Sequence, residues 1–212
     1  MTGEVELHFS SQIAPKGFAW VVPVRRPGTN CARVGLMCDS NVEDQFHNFV
    51  ASIAGRWGIP PASEIRPVRK ILPLAPIERT YTDRLLTVGD AAGLVKATTG
   101  GGIYYSIVSG KLAADVLADS LKSNTLHAEA LADYERRWKQ RLGSELKAQL
   151  LFRNHAHLLG ESDIEDLFEL ARTDGILPLV RKTATFNHHR KVILALLRHR
   201  QFREIFLRAP AL

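Results

Sequence analysis

The chain has 212 residues, 45% hydrophobic and 24% charged, which is enough apolar content to bury a core in one or two domains and excludes a disordered chain. Its net charge of +6 favours an anionic surface or ligand, but no nucleic-acid-binding motif accompanies it, so nucleic acid is not expected as a partner. The opening MTGEVELHFS lacks the apolar core of a signal peptide, and no apolar run approaches the ~18 residues of a membrane span, so the expected location is the cytoplasm.

Residues 4–10 alternate Val5, Leu7 and Phe9 with Glu4, Glu6 and His8, the period of a half-buried strand. Residues 17–24, GFAWVVPV, form a second predicted strand. RRPGTN follows, with turn chemistry at Pro27-Gly28, and a third strand covers residues 31–38, CARVGLMC. Together they make an antiparallel meander. Cys31 and Cys38 offer neither a disulfide framework nor metal-ligand spacing and are read as reduced, buried thiols. Residues 41–57 place Val42, Phe46, Phe49, Val50, Ile53, Ala54 and Trp57 at helical spacing, with Asn41 as cap and Gly58-Ile59-Pro60-Pro61 as stop. Residues 65–76, IRPVRKILPLAP, carry too many prolines for a helix and suit an irregular or edge strand. Arg79 and Arg84, either side of Tyr81, read as solvated charges.

The most informative stretch is GDAAGLVKATTGGGIYYSIVSG, residues 89–110. The apolar run Leu85-Leu86-Thr87-Val88 leads into Gly89-Asp90, then a glycine-rich loop, then a helix from about Ile103. A helix start presents unpaired N–H groups and a positive dipole end. Gly100, Gly101 and Gly102 leave no side chain between that backbone and a flat ligand, and Asp90 can accept hydrogen bonds from ligand hydroxyls. The competing reading is a strand-to-helix turn with glycines for tight packing. In the helix, Ser106, Gly110, Ala113 and Ala114 form a small-residue stripe that suits either reading.

From Thr125 the pattern is helical. Residues 127–159 repeat Leu131, Tyr134, Trp138, Leu142, Leu146 and Leu150 nearly every fourth position. A short helix is expected over 163–171 after a Ser162 cap, stopped by Thr173-Asp174-Gly175, and a new segment opens at 177–180. Residues 181–208 hold Arg181, Lys182, Arg190, Lys191, Arg198, Arg200, Arg203 and Arg208 against Glu204 alone, with Val192, Ile193, Leu196, Leu197, Ile205 and Phe206 as an apolar face. Two readings stand: a basic amphipathic helix on an anionic membrane, and a helix packed on the domain with a solvated basic side. His188-His189 lacks further ligands at metal-binding spacing, so no metal is expected and the pair reads as surface histidines.

Two motifs carry a resemblance. Gly89-Asp90-Ala91-Ala92-Gly93, followed by Thr98-Thr99-Gly100-Gly101-Gly102-Ile103, resembles the second flavin-binding motif of the geranylgeranyl reductase family, FAD-dependent reductases within the p-hydroxybenzoate hydroxylase-like superfamily. Phe18-x-Trp20-x-x-Pro23 partly resembles that family's Tyr-x-Trp-x-Phe-Pro signature, with Phe18 in place of Tyr and Val22 in place of Phe. The resemblance implies that Asp90 binds the ribitol of FAD and that the Gly89, Ala91 and Gly93 turn belongs to the cofactor site. It implies that Thr99, Gly100, Gly101, Gly102 and Ile103 face the isoalloxazine and the pyrophosphate, and that Phe18, Trp20 and Pro23 line a tunnel for a prenyl chain. An aromatic core strand is the alternative for the last three. Two departures stand out: Ala97 occupies the family's usual proline position, and no G-x-G-x-x-G fingerprint occurs.

The implied fold is an incomplete α+β, p-hydroxybenzoate hydroxylase-like one. Residues 1–76 would form the substrate-side antiparallel sheet with one helix, 77–122 the C-terminal part of the FAD domain, and 123–212 a helical region with a basic end. The implied function is FAD-dependent reduction of isoprenoid or prenyl-lipid double bonds, with a peripheral membrane contact through 181–208; no catalytic acid is assigned. The missing N-terminal FAD-binding half leaves three readings: a fragment, a split-gene product with that half on a separate chain, or a degraded homologue. The alternative is a flavin-free remnant or accessory subunit that binds a partner chain or an anionic membrane.

Overall fold

The computed structural model describes residues 4–58, 67–173 and 175–208. The Ile59-Pro60-Pro61 stop, the start of the 65–76 segment and Asp174 lie outside the described residues. The chain divides into two compact units, Met1–Val68 with His157–Phe168, and Arg69–Ala156 with Glu169–Leu212.

In the first unit, β1 (Glu6–His8), β2 (Phe18–Arg26) and β3 (Thr29–Met37) form the expected antiparallel meander in the order β1-β2-β3. The tight turn at Pro27-Gly28 uses a left-handed glycine, φ 73° at Gly28. Helix α1 (Val42–Trp57) supplies Phe49 and Ile53, which bury Ala19 and Val21 of β2. Pleating therefore assigns one sheet face to α1 and the other to Phe18 and Trp20.

Three local expectations are corrected here. In the first strand the apolar residues Val5, Leu7 and Phe9 are the exposed ones, whereas Glu6 and His8 are half-buried. The reason is which face α1 covers: Glu6 pairs with Arg56, and the His8 ring meets Phe49 edge-on at 5.0 Å. Asn41 precedes α1 in the left-handed region, φ 47°, with no side-chain cap bond. Gly58, φ 61°, ends the helix as a left-handed C-cap. Cys31 and Cys38 are half-buried rather than buried.

In the second unit, residues 69–80 form no helix or strand. The strand expected over 85–88 is only two residues long: β4 (Tyr81–Thr82) pairs with β5 (Leu85–Leu86), and Gly89–Ala92 is a 3₁₀ turn. Helices α2 (Ile103–Lys122) and α3 (Ala128–Ala156) follow, then α4 (Glu161–Thr173), whose residues up to Phe168 belong to the first unit, and α5 (Ile176–Thr183), α6 (Arg190–Arg198) and α7 (Arg200–Phe206). Helix α4 starts before Ser162, which is therefore not its cap; the Asp163 carboxylate accepts from Gly160 N–H at 3.1 Å instead. Among the described residues no helix is long and apolar enough to cross a membrane.

The main core joins Leu94, Tyr105, Ala113 and Val116 to Leu131, Tyr134, Trp138, Leu142 and Leu146 of α3. Leu150, which continues the same period, is half-buried. Polar groups in this core are paired. Trp138 Nε1–H donates to Thr80 Oγ1 at 2.9 Å, and the Thr80 backbone N–H and hydroxyl donate to Glu135 Oε2 at 2.8 and 3.0 Å. Thr80→Val keeps the side-chain volume but leaves a buried indole N–H without an acceptor. It is expected to cost about 1–3 kcal/mol, read as a lower denaturant midpoint at unchanged slope.

The basic segment 181–208 is not one helix. It breaks after Thr183 and again at His199. The first break follows from tertiary contacts: the Glu145 carboxylate of α3 accepts the backbone N–H groups of His189 and of Arg190, the latter at 2.8 Å, and so starts α6 there. At the second, the His199 ring accepts from Phe202 N–H. Ile193, Phe202, Ile205 and Phe206 are buried within the unit, and Phe206 stacks on Phe152 with ring centroids 4.8 Å apart.

Candidate functional site at the head of helix α2

The nine predicted cofactor-site residues lie in one continuous turn–loop–helix start. Gly89 to Ala92 make the 3₁₀ turn, closed by Gly93 N–H to Asp90 C=O at 3.0 Å and Leu94 N–H to Gly89 C=O at 3.0 Å. Gly89 is required twice. Its φ is +56°, and an added β-carbon would lie 2.4 Å from Ser106 Oγ. Its N–H donates to Ser109 Oγ at 3.0 Å, so the turn is fixed to α2 by a buried bond. The small-residue stripe divides accordingly: Ser106 meets the turn and Ala113 the core, while Ala114 is exposed on the outer face.

Asp90 is exposed, and among the described residues its carboxylate makes no ion pair or side-chain hydrogen bond. It lies directly against Gly102, where a β-carbon would come within 1.9 Å of Asp90 Oδ1. No side chain caps α2, and Ile103 at its start is 82% exposed. Ala91 and Thr99 are also exposed, Gly100 and Gly101 are half-buried, and Gly89, Gly93 and Gly102 are buried. The helix start is thus bare backbone beside a carboxylate acceptor, open to its outer side. These features fit the sugar arm and ring of a flavin: a free acceptor for hydroxyls and a glycine surface with a positive dipole end.

The loop between turn and helix is held from beneath. Leu94, Val95, Lys96 and Ala97 are buried. Ala97 C=O accepts from Arg153 Nη1 at 3.1 Å, which anchors the backbone where the family pattern has proline. Thr98 Oγ1 lies 2.7 Å from His189 Nδ1 and 3.4 Å from Gln149 Oε1. Gln149, fully buried, donates to Tyr105 Oη at 3.0 Å and to Glu145 Oε1 at 2.7 Å, and Tyr105 Oη–H donates to Asn187 C=O at 2.9 Å. Burial pushes the Tyr105 phenol up to about 12, so it stays a donor. Burial, then the neighbouring Lys96 charge, hold His189 below the ordinary histidine range. His189 is therefore half-buried support for the loop rather than part of a surface pair; His188 is exposed, 3.3 Å from Tyr104 Oη.

Sequence reading missed Glu145 and Gln149. The signal was present: both fall four residues apart on the face of α3 that carries Leu142 and Leu146. Polar residues on an apolar stripe mark a buried network.

Phe18 and Trp20 lie in the first unit on the sheet face opposite α1, their ring centroids 5.7 Å apart. Phe9 lies 5.7 Å from Phe18 and 5.8 Å from Phe168. Trp20 packs over Gly35 of β3, where a β-carbon would come within 2.3 Å of the indole. Strand alternation puts Pro23 on the opposite face from Phe18 and Trp20.

No family model matches the chain. Its sequence is 35% identical over 168 residues to digeranylgeranylglycerophospholipid reductase 2 of Methanothermobacter thermautotrophicus, covering 77% of this chain and 42% of that protein. It is 32% identical over 169 residues to the digeranylgeranylglycerophospholipid reductase of Methanocaldococcus jannaschii, covering 78% and 42%. The crystal structure of a geranylgeranyl bacteriochlorophyll reductase-like protein from Thermoplasma acidophilum superposes with a TM-score of 0.66 at 20% identity, covering 96% of this chain and 49% of that one. The fold is therefore the α+β fold of geranylgeranyl reductase-like proteins, in part. The chain is a homologue of the geranylgeranyl reductase family and spans about half the length of the relatives it matches.

Proposed function

We propose that this chain is the C-terminal part of an FAD-dependent reductase of isoprenoid or prenyl-lipid double bonds. The observation that carries the reading is the unpartnered Asp90 carboxylate beside the bare, glycine-lined head of α2. Asp90 would hold the ribitol hydroxyls, and the backbone from Thr99 to Ile103 would lie against the ring. When bound, reduced FAD supplies the hydride. The protein's part is to orient the ring on a loop fixed by Arg153, Gln149 and His189 and to keep side chains out of its way. Phe18 and Trp20, on an apolar sheet face with Leu7 and Phe9, supply a surface suited to a prenyl chain. The named activities of the relatives support the same substrate class.

The rest of the fold, in the same polypeptide or another, would cover the outer stripe of α2. Ile103, Ile107, Ala114, Ala118 and Leu121 form an exposed apolar line there, with Ile107 67% and Leu121 63% exposed. Without that half the cofactor loses its dinucleotide contacts, so the described chain alone should bind FAD weakly and purify colourless. Flavin absorbance on titration with FAD, with and without an added N-terminal half of a relative, tests the reading. Full-occupancy yellow protein from this chain alone would show that the second half is not needed. No binding in either mixture would remove the flavin function.

The exposed basic side chains of 181–208 favour a second contact, with an anionic membrane surface. Because the apolar side of α6 and α7 is packed inward, that contact would be electrostatic and not inserted. Binding to vesicles containing phosphatidylserine should fall steeply between low and physiological salt and be absent on neutral vesicles. Salt-independent binding would contradict it.

A further inference from the structure

Lys96 is 5% exposed, and among the described residues no carboxylate pairs with it. Its ammonium donates to Phe186 C=O at 2.8 Å and lies 3.9 Å from the centroid of the Phe186 ring. That ring is itself 83% exposed, so an apolar group stands on the surface to cover a cation. The loop backbone folds around the same lysine. Lys96 C=O accepts from Thr99 N–H at 3.1 Å and Gly100 N–H at 2.7 Å, and Lys96 N–H donates to Gly101 C=O at 3.1 Å. A β-carbon at Gly101 would lie 2.7 Å from Lys96 Cε and 3.3 Å from Nζ. The ammonium is thus held directly behind the glycine backbone that faces outward at the head of α2.

A lysine is rarely buried without an anion. Here one carbonyl and one ring satisfy part of its charge, and a leucine or methionine would fill the space without that desolvation penalty. We propose that Lys96 is the fixed cation that stabilises negative charge on a ring system laid against the Thr99–Ile103 backbone, a role that rests on the flavin reading of this loop. The charge matters in the reduced state, when a flavin ring carries an electron pair and a negative charge. A buried cation behind a bare loop acts through little screening, and Phe186 keeps water from the ammonium. Lys96 touches no reacting atom in this scheme; it is a positioning residue for charge.

The test uses sulfite on the protein loaded with FAD in the presence of the added N-terminal half. Sulfite adds its electron pair to the oxidised ring and leaves a negative charge on it, bleaching the visible band, so its affinity reports the cation without any turnover. Lys96→Met should weaken sulfite binding at least tenfold and lower the two-electron potential by about 30 mV for each tenfold, with FAD affinity changed less than threefold. Phe186→Ala leaves the lysine and admits water; it should shift both quantities in the same direction by a smaller factor, which keeps the idea testable if Lys96→Met folds poorly. Unchanged sulfite affinity and potential in both variants would overturn the role of Lys96 and leave the flavin site intact. Failure of the unmodified protein to bind FAD both alone and with the added N-terminal half would overturn the flavin reading itself, and this inference with it.

Discussion

Asp90→Ala should raise the FAD dissociation constant by roughly 10–100-fold, the loss of charge-assisted hydrogen bonds worth about 1.5–3 kcal/mol. In a site already weak, that removes measurable binding, read as loss of fluorescence quenching on titration. The fold should be unaffected, because Asp90 is exposed and its carboxylate holds nothing else in the described structure. Gly102→Ala gives the same result by a different route. The added methyl would collide with Asp90 Oδ1 and drive the carboxylate from the helix start. If both variants bind FAD as the parent does, Asp90 is a solvated surface carboxylate and the turn is a packing device.

The second large effect is on stability. Glu145 is almost fully buried and accepts from His189 N–H, from Arg190 N–H at 2.8 Å and from Gln149 Nε2 at 2.7 Å. It is the negative charge at the N-terminus of α6, supplied from α3. Glu145→Ala removes the acceptor of three donors, one buried and two part-buried, and should cost about 3–4 kcal/mol. Amide exchange should speed up first in residues 185–206, since that segment is anchored there. Glu145→Gln keeps one acceptor oxygen and should cost less. Acid acts on the same junction. His189 is held below its ordinary range, so the unfolded chain takes up the proton first. The stability it contributes is complete above the unfolded pKa of about 6.5 and falls as pH drops toward its lower folded value. His189→Gln should flatten that part of the stability profile.

How much was legible can be judged residue by residue. The meander, α1 and α3 follow from periods of two and of 3.6, and these appeared near the expected positions. The Gly89–Gly93 and Thr98–Ile103 motif, with its helix start, is local chain chemistry and formed as a local structure. Three things were not legible. The inward face of β1 was inverted, because alternation states that a strand has two faces but not which one α1 will cover. The basic segment broke after Thr183 and again at His199, the first time because Glu145, some forty residues earlier in the chain, captures its backbone donors. His189 read as half of a surface pair and Lys96 drew no reading, because their burial depends on α3 and on the 186–189 segment folding over the loop.

The sequence alone determined the local elements and the bare, carboxylate-flanked head of α2, since backbone angles and side-chain periodicity act between near neighbours. Only the tertiary structure decided which charges are buried. Desolvation and long-range hydrogen bonds depend on groups far apart in the chain, and through them Lys96, Glu145, Gln149 and His189 became the support of that loop.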